Sequence, residues 1–417
     1  MNLDYEGEKQ NEKRIIIGII YLVTLSSISG CSNKEENDST TNDTIVEEVL
    51  DESTDEGKED KSEEAESPLD ALSERDQKLA GNAIITPYIQ IILTNCGKVL
   101  SKGENMYGQL GNGERTNTDT WSEVEGLENI VGIYSLGNIG SRMYDENAFG
   151  SCYALNSSGE LYRWGGNILT PEKVTLFSNI REVKSIGDLY IQCESGEKYI
   201  IIPRFNLQHD DTVYSYNSLP DGAELFGYGS DGYLMYTNNQ LTYIDVDGLH
   251  QYGSGESFDE ILALEDKIKN ILPLDITEKI ENIIPCSYQG FGGATMITDT
   301  GSVIGVGYDE GDIVTEYRGG QGIKKASLNY TDFLLFNNGE LCASGDNEAG
   351  QLGDGTMTDY FDGYLTIDEA YFSDFEYNHS RKRCIALDED YNVWGWGEGF
   401  GVSPEIIVEN TDFLREG

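Results

Sequence analysis

Gly97-Lys98-Val99-Leu100-Ser101-Lys102-Gly103-Glu104-Asn105-Met106-Tyr107-Gly108-Gln109-Leu110-Gly111 returns 242 residues later as Gly339-Glu340-Leu341-Cys342-Ala343-Ser344-Gly345-Asp346-Asn347-Glu348-Ala349-Gly350-Gln351-Leu352-Gly353. In both copies an apolar segment runs into the first glycine, the second follows six residues on, and Gly-Gln-Leu-Gly begins five residues after that. Self-similarity of this kind marks a repeat protein and constrains the fold before any local reading. Weaker copies occupy residues 154–165, with Gly159 and Gly165, and residues 296–307, with Gly301 and Gly307. A further copy at residues 384–397 has Tyr391 in the place of the first glycine, and Gly196 and Asn239 mark two degenerate copies without a second glycine.

The turn anchors therefore fall at 97, 159, 196, 239, 301, 339 and 391. Their spacings of 62, 37, 43, 62, 38 and 52 average 49 residues, which suits a four-stranded propeller blade and is too long for a leucine-rich repeat. The predicted fold class is all-β: a seven-bladed β-propeller with antiparallel four-stranded blades over residues 81–417. Residues 82–92 are expected to complete the last blade, pairing the two chain ends so that no strand edge is left open. Glycine at Gly97, Gly103, Gly108, Gly111, Gly159, Gly165, Gly301, Gly307, Gly339, Gly345, Gly350 and Gly353 supplies positive φ or close backbone approach, a structural role. Gln109 and Gln351 are expected to bond the loop backbone rather than a ligand.

An apolar strand, a glycine turn, Val/Leu-x-x-Trp-Gly and Asn-x-x-Gly-Gln-Leu-Gly together resemble the regulator-of-chromosome-condensation repeat family, over residues 84–410. The resemblance implies a seven-bladed β-propeller. It implies little about function, because members of one fold carry unrelated activities and most copies here have lost Gly-Gln-Leu-Gly.

Before the repeats, Lys13 and Arg14 precede a run of about 14 apolar residues ending in Ile28-Ser29-Gly30-Cys31. That run is short for a membrane span of ~20 residues and suits a signal-peptide core. The Ile-Ser-Gly-Cys stretch resembles a bacterial lipobox. Residues 1–30 are accordingly expected to be a lipoprotein signal peptide, with Cys31 lipidated and the protein anchored to a bacterial membrane on its extracytoplasmic side. Residues 32–78 hold 18 Asp/Glu against 5 Lys/Arg with almost no apolar periodicity, so 31–80 is predicted to be a disordered acidic linker. The formal charge is −47, of which about −33 remains beyond this linker. A nucleic acid or an anionic membrane surface would demand faces rich in Lys and Arg, so neither is expected as partner.

Six cysteines remain after Cys31, with no Cys-x-x-Cys pair, and they are expected to be mostly free thiols. His209, His250 and His379 are the only histidines, and none stands in a metalloprotease or nucleophile-elbow motif. His209, beside Asp210 and Asp211, would be the first suspect for chemistry. The Asp245-Val246-Asp247-Gly248 and Asp309-Glu310-Gly311-Asp312 clusters do not complete a calcium loop. No cofactor or metal is expected, and an enzyme is the weaker expectation.

Tyrosine is the residue type best suited to recognition, and there are 26. Tyr107, Tyr228, Tyr233, Tyr288, Phe291, Tyr308 and Tyr317 are predicted to lie in glycine-rich connections and to form a patch on one propeller face. Residues 138–150 read as a loop insertion, and Phe258, Ile261, Leu262, Glu265, Ile268 and Leu272 as one face of a helix. The expected function is a cell-surface binding or adhesion module, monomeric, for a protein or surface glycan. The runners-up are an inhibitor of an extracellular enzyme and, more weakly, a lyase or hydrolase acting on wall glycan.

Overall fold

The computed structural model describes residues 77–415 except 137–150, 187, 203–211, 216–222, 229–231, 238–239, 246–267, 274–278, 289–290, 310–311, 319–321, 329 and 380. Its strands pair only with their sequence neighbours, four at a time and antiparallel. The sheets in chain order span residues 83–123, 130–173, 180–215, 224–273, 280–318, 323–367 and 372–408, and are called the first to the last sheet below. This is an all-β propeller architecture with four-stranded antiparallel blades.

Every described anchor sits in the turn between the second and third strands of its sheet: Gly97, Gly159, Gly196, Gly301, Gly339 and Tyr391. Asn239 lies outside the described residues, between strands whose Thr237 and Gln240 pair. The backbone needs positive φ there, and Tyr391 adopts 67° where the other copies use glycine. The turn also joins neighbouring sheets. Two residues before the anchor, a backbone N–H donates to the carbonyl that leads into the same sheet: Ser157 to Asn129 (2.9 Å), Glu194 to Asn179 (2.9 Å), Asn337 to Gly322 (2.8 Å) and Glu389 to Tyr371 (3.1 Å). The next N–H along that connection donates back to the preceding anchor, Ile130 to Gly97, Ile180 to Gly159 and Phe372 to Gly339.

The side chains alternate between the two faces of each sheet, and both faces are covered. On the second strand of the sixth sheet, Phe333 and Leu335 pack toward the last sheet with Phe372, Phe375, Cys384 and Trp396. Leu334, between them, packs toward the fifth sheet with Ile297 and Val303. The second glycine of the repeat ends the third strand because nothing larger fits. A Cβ at Gly345 would stand 2.0 Å from the Tyr330 carbonyl oxygen, and one at Gly103 would stand 2.0 Å from that of Tyr88.

Ring closure differs from the sequence expectation. Residues 82–92 do not complete the last sheet: Ala83–Ile85 and Ile89–Leu93 pair with each other in the first. The last sheet is complete with Phe372–Asn378, Arg383–Asp388, Val393–Gly397 and Gly401–Val408. The C-terminal turn of helix α1 (Asn410–Phe413) instead supplies the missing connection, because the Phe413 carbonyl accepts from Asn95 N–H (2.9 Å) as Asn129 accepts from Ser157. Leu79, Ala83, Ile85 and Ile92 of the chain entry then bury against Ile385, Leu387, Val393, Val408 and Phe413. The entry segment also reaches across: Leu79 N–H donates to Asp374 (2.8 Å), and Gly81 bridges Ile133 in the second sheet.

The helix expected across Phe258 to Leu272 is also corrected where it is described. Ile268 and Leu272 lie on a strand, Ile268–Pro273, paired with Gln240–Asp245. Short apolar runs carry both periods, and pairing with an otherwise open strand edge decides for β. The remainder of that segment, the 138–150 insertion, the signal peptide, Cys31 and residues 31–76 of the acidic linker lie outside the described residues; residues 77–80, expected to belong to the linker, are described, and Leu79 among them is buried. Cys96, Cys152, Cys193, Cys342 and Cys384 are free thiols.

Two glycines separate steric from torsional cost. Gly363 has φ 132° with nothing within 4 Å of the point where a Cβ would stand, whereas Gly345 has φ 113° and the 2.0 Å clash. Gly363→Ala should cost about 1 kcal/mol and Gly345→Ala on the order of 3 kcal/mol or more, measured by urea unfolding. Equal losses would contradict the close approach of the strand end to the Tyr330 carbonyl.

Candidate functional site

Turns between first and second strands and between third and fourth strands emerge at one end of each sheet. The anchor turns and the inter-sheet connections emerge at the other. The first described residues, 77–82, and the C-terminal α1 both bind the anchor-turn end. The opposite end is free of them, and the Gly-Gln-Leu-Gly loops lie there.

Each of these loops folds around one fully buried asparagine. Asn347 Oδ1 accepts from Leu352 N–H (2.9 Å), its Nδ2 donates to Asp354 (3.0 Å) and to the Thr358 carbonyl (3.2 Å), and its own N–H donates to Asp359 (2.8 Å). Asn105 repeats this with Leu110, Asn112 and Asn117. The glutamine side chains accept from loop backbone, Gln109 from Tyr107 N–H and Gln351 from Ala349 N–H, each at 2.8 Å. Their carbonyls clamp the next sheet: Trp164 Nε1 donates to Gln109 O and Trp396 Nε1 to Gln351 O, both at 2.9 Å. Gly113 N–H to Leu169 O (2.9 Å) and Gly355 N–H to Val402 O (3.0 Å) add a backbone bond to the outer strand of that same sheet. Gly108 and Gly350 lie where a Cβ would strike Leu169 and Val402, and Gly111 and Gly353 where it would strike Trp164 and Trp396. These residues brace the loop, so whatever the loop displays is held rigidly.

Around the loop of the sixth sheet, aromatic and apolar side chains stand exposed. Tyr330, in the turn before the second strand of the sixth sheet, is 58% exposed, Met357 60%, and Phe361 on the outer strand Tyr360–Ile367 68%. Tyr364 on that strand donates its hydroxyl to buried Asp332 (3.2 Å). The pairing of the outer strand slips between Ala343 and Gly345, leaving residues 361–364 bulged and exposed. Below the loop, a cleft of about 280 Å³ between the sixth and last sheets is lined by Asp354, Thr366, Asp368, Glu369 and Ser403 among others.

Nearer the sheets' inner strands, Ser327 Oγ and His379 Nε2 lie 2.8 Å apart, both buried, with Tyr377 edge-on to the imidazole at 4.5 Å. Burial depresses the His379 pKa to about 4, so the ring is neutral at pH 7. A Ser–His bond is the start of a nucleophile–base pair, but among the described residues no carboxylate orients His379. The pair ties the sixth sheet to the last and lies below the surface. His209 lies outside the described residues. Among the described residues no group of three or more His, Cys, Asp or Glu could hold a metal.

The aromatic set read from sequence is placed differently from expectation. Only Tyr107 occupies a connection; Tyr228, Tyr233, Tyr288, Phe291, Tyr308 and Tyr317 lie on strands. Neighbouring glycines such as Gly227 and Gly232 read as loop but pair within the sheet. Tyr233 is fully buried and cannot contact a partner. Tyr228, Tyr288, Phe291 and Tyr308 do fall at the same end of their sheets as Tyr107, whereas Tyr317, paired with Ile304, falls at the opposite end. Tyr330, Met357, Phe361 and Tyr364 were missed. The signal available for them was aromatic spacing inside a stretch without basic residues.

No family model matches this sequence, and no curated protein does. Solved structures do. Yeast RCC1 (Prp20), crystallised bound to Kap60, is similar at 11% identity, covering 86% of this chain and 92% of that one, with a TM-score of 0.51. Prp20p from Saccharomyces cerevisiae, described with its binding to Gsp1p and histones, gives 12% identity, 79% and 88% coverage and a TM-score of 0.48. The BP39L lectin from Burkholderia pseudomallei gives 9% identity, 80% and 100% coverage and 0.47. The first likeness supports the fold: the chain resembles the β-propeller of RCC1. Identity this low speaks to fold alone.

Replacing His379 by Gln tests its burial. The folded pKa of about 4 lies below the unfolded value of about 6.5, so the unfolded state binds the extra proton between these values. Stability contributed by neutral His379 is complete above pH 6.5 and is lost as pH falls toward 4, by about 3 kcal/mol. Urea unfolding from pH 7 to 4 should show wild type losing about that much more than His379→Gln. Parallel profiles would contradict a buried neutral imidazole.

Proposed function

We propose that this chain is a binding module: a seven-bladed β-propeller, its seven four-stranded sheets standing as the blades, that holds a protein or glycan at the end carrying Tyr330, Met357, Phe361 and Tyr364. We further propose that it works outside the cytoplasm, tethered by a lipid on Cys31. The observation that carries the first reading is the asymmetry of the two ends. The chain entry and α1 are fixed at the anchor-turn end, while the opposite end presents Met357 on a loop clamped to the next sheet, with Tyr330, Phe361 and Tyr364 exposed on the turn and outer strand of the same sheet. A tether entering at residue 77 would leave the aromatic end facing outward. Large rigid side chains held beside a braced loop lose little entropy on binding, which favours recognition over catalysis.

The full chain, immobilised against cell-surface extract and wall fragments, should retain a saturable partner. The Tyr330→Ala/Phe361→Ala variant should lose it, and Tyr371→Ala, equally exposed at the anchor-turn end, should keep it. Loss only in Tyr371→Ala would place binding at the wrong end. For the tether, a palmitate analogue fed to cells should label wild type and spare Cys31→Ala; no label on either would rule the lipid out.

A further inference from the structure

Residues 326–380 contain eleven Asp/Glu and no Lys or Arg. At the chain's own frequency, 28 in 417, about four basic residues would be expected there. The stretch covers nearly all of the sixth sheet, including Tyr330, Met357, Phe361 and Tyr364. Of the cations that flank the stretch, Arg381 and Arg383 belong to the last sheet, and the three lysines are turned to other uses. Lys325 pairs with buried Asp374 (2.7 Å), Lys324 donates to the Ser373 carbonyl (2.7 Å), and Lys382 pairs with Glu348. Asp359 and Asp354 are held in place by Asn347, and Asp362 stands exposed between Phe361 and Gly363. The Asp346 carboxyl is pushed up by burial and by the Asp359 charge beside it, which shows the negative field within this loop.

We infer that this shoulder of the sixth sheet docks a lysine- or arginine-rich polypeptide segment. The inference deepens the binding-module reading and rests on it. A long basic side chain can lay its methylene stem or its cation on Phe361 or Tyr330 while its charge reaches Asp362, so both exposed features of the shoulder are used by one ligand. A neutral glycan would use the rings and gain nothing from the absence of cations. Like-charge repulsion rejects an acidic polymer, and the same field steers a basic segment toward the shoulder.

The test is fluorescence anisotropy of the full chain with a labelled peptide of six Lys-Gly repeats, beside a Ser-Gly peptide of equal length and a neutral β-1,4-linked N-acetylglucosamine oligomer. The Lys-Gly peptide should bind with an affinity that falls as salt rises, and the other two should not bind. Phe361→Ala, Tyr330→Ala and Asp362→Lys should each weaken it about tenfold or more. Glu197→Lys, an exposed charge reversal in the third sheet, should change it less than about twofold, and melting curves should show every variant folded. Equal weakening by Glu197→Lys would overturn the inference, because attraction would then belong to the whole acidic surface. Failure of the Lys-Gly peptide, with Phe361-dependent retention of a partner from surface extract, would overturn the basic ligand and leave the binding end standing. Failure of both would overturn both.

Discussion

The peptide N–H two residues before each turn anchor, donated to the carbonyl that leads into its sheet, is the bond on which the ring depends. It recurs from Asn95 to Glu389 in six of the seven sheets, at 2.8 to 3.1 Å. A buried backbone group left without its partner costs roughly 1–3 kcal/mol, so each connection is obliged to pass close to the anchor turn. Close passage requires positive φ at the anchor. That is why glycine dominates there, and why Tyr391 can stand in only by adopting 67°. The spacing of the sheets follows from a turn rather than from a strand.

The same bond explains how the ring closes without a shared sheet. The first sheet has no preceding sheet in the chain, yet its Asn95 N–H must be satisfied. Phe413 of α1 provides that carbonyl, and Leu79 seals the apolar seam beside it. Closure therefore commits residues 77–82 and α1 to one end of the sheets. Among the described residues neither of these segments reaches the other end, which is braced by the Asn105 and Asn347 loops on Trp164 and Trp396.

The fold was legible because its repeats carry backbone information. Gly97 and Gly339 mark turns that only a residue tolerating positive φ can make, and the described anchors fall on equivalent turns. Closure was not legible, because a carbonyl at Phe413 carries no side-chain signature of the connection it replaces. Ile268 and Leu272 fit a helical period and became strand because an edge was waiting for them. The exposed aromatic side chains of the sixth sheet were not legible. Tyr233 sat among glycines that proved to be paired strand, while Phe361 sat on a strand whose slipped register turns it outward. Register of that sort depends on the neighbouring strand and is not written locally.

The most direct measurement is hydrogen–deuterium exchange with and without the bound partner, read peptide by peptide. The account predicts new protection confined to the turn and loops at residues 328–332 and 346–364, with the anchor turns at 95–97, 337–339 and 389–391 unchanged. Protection centred on those anchor turns, or on residues 77–82 and 409–415, would contradict it by placing the partner on the end that those two segments occupy.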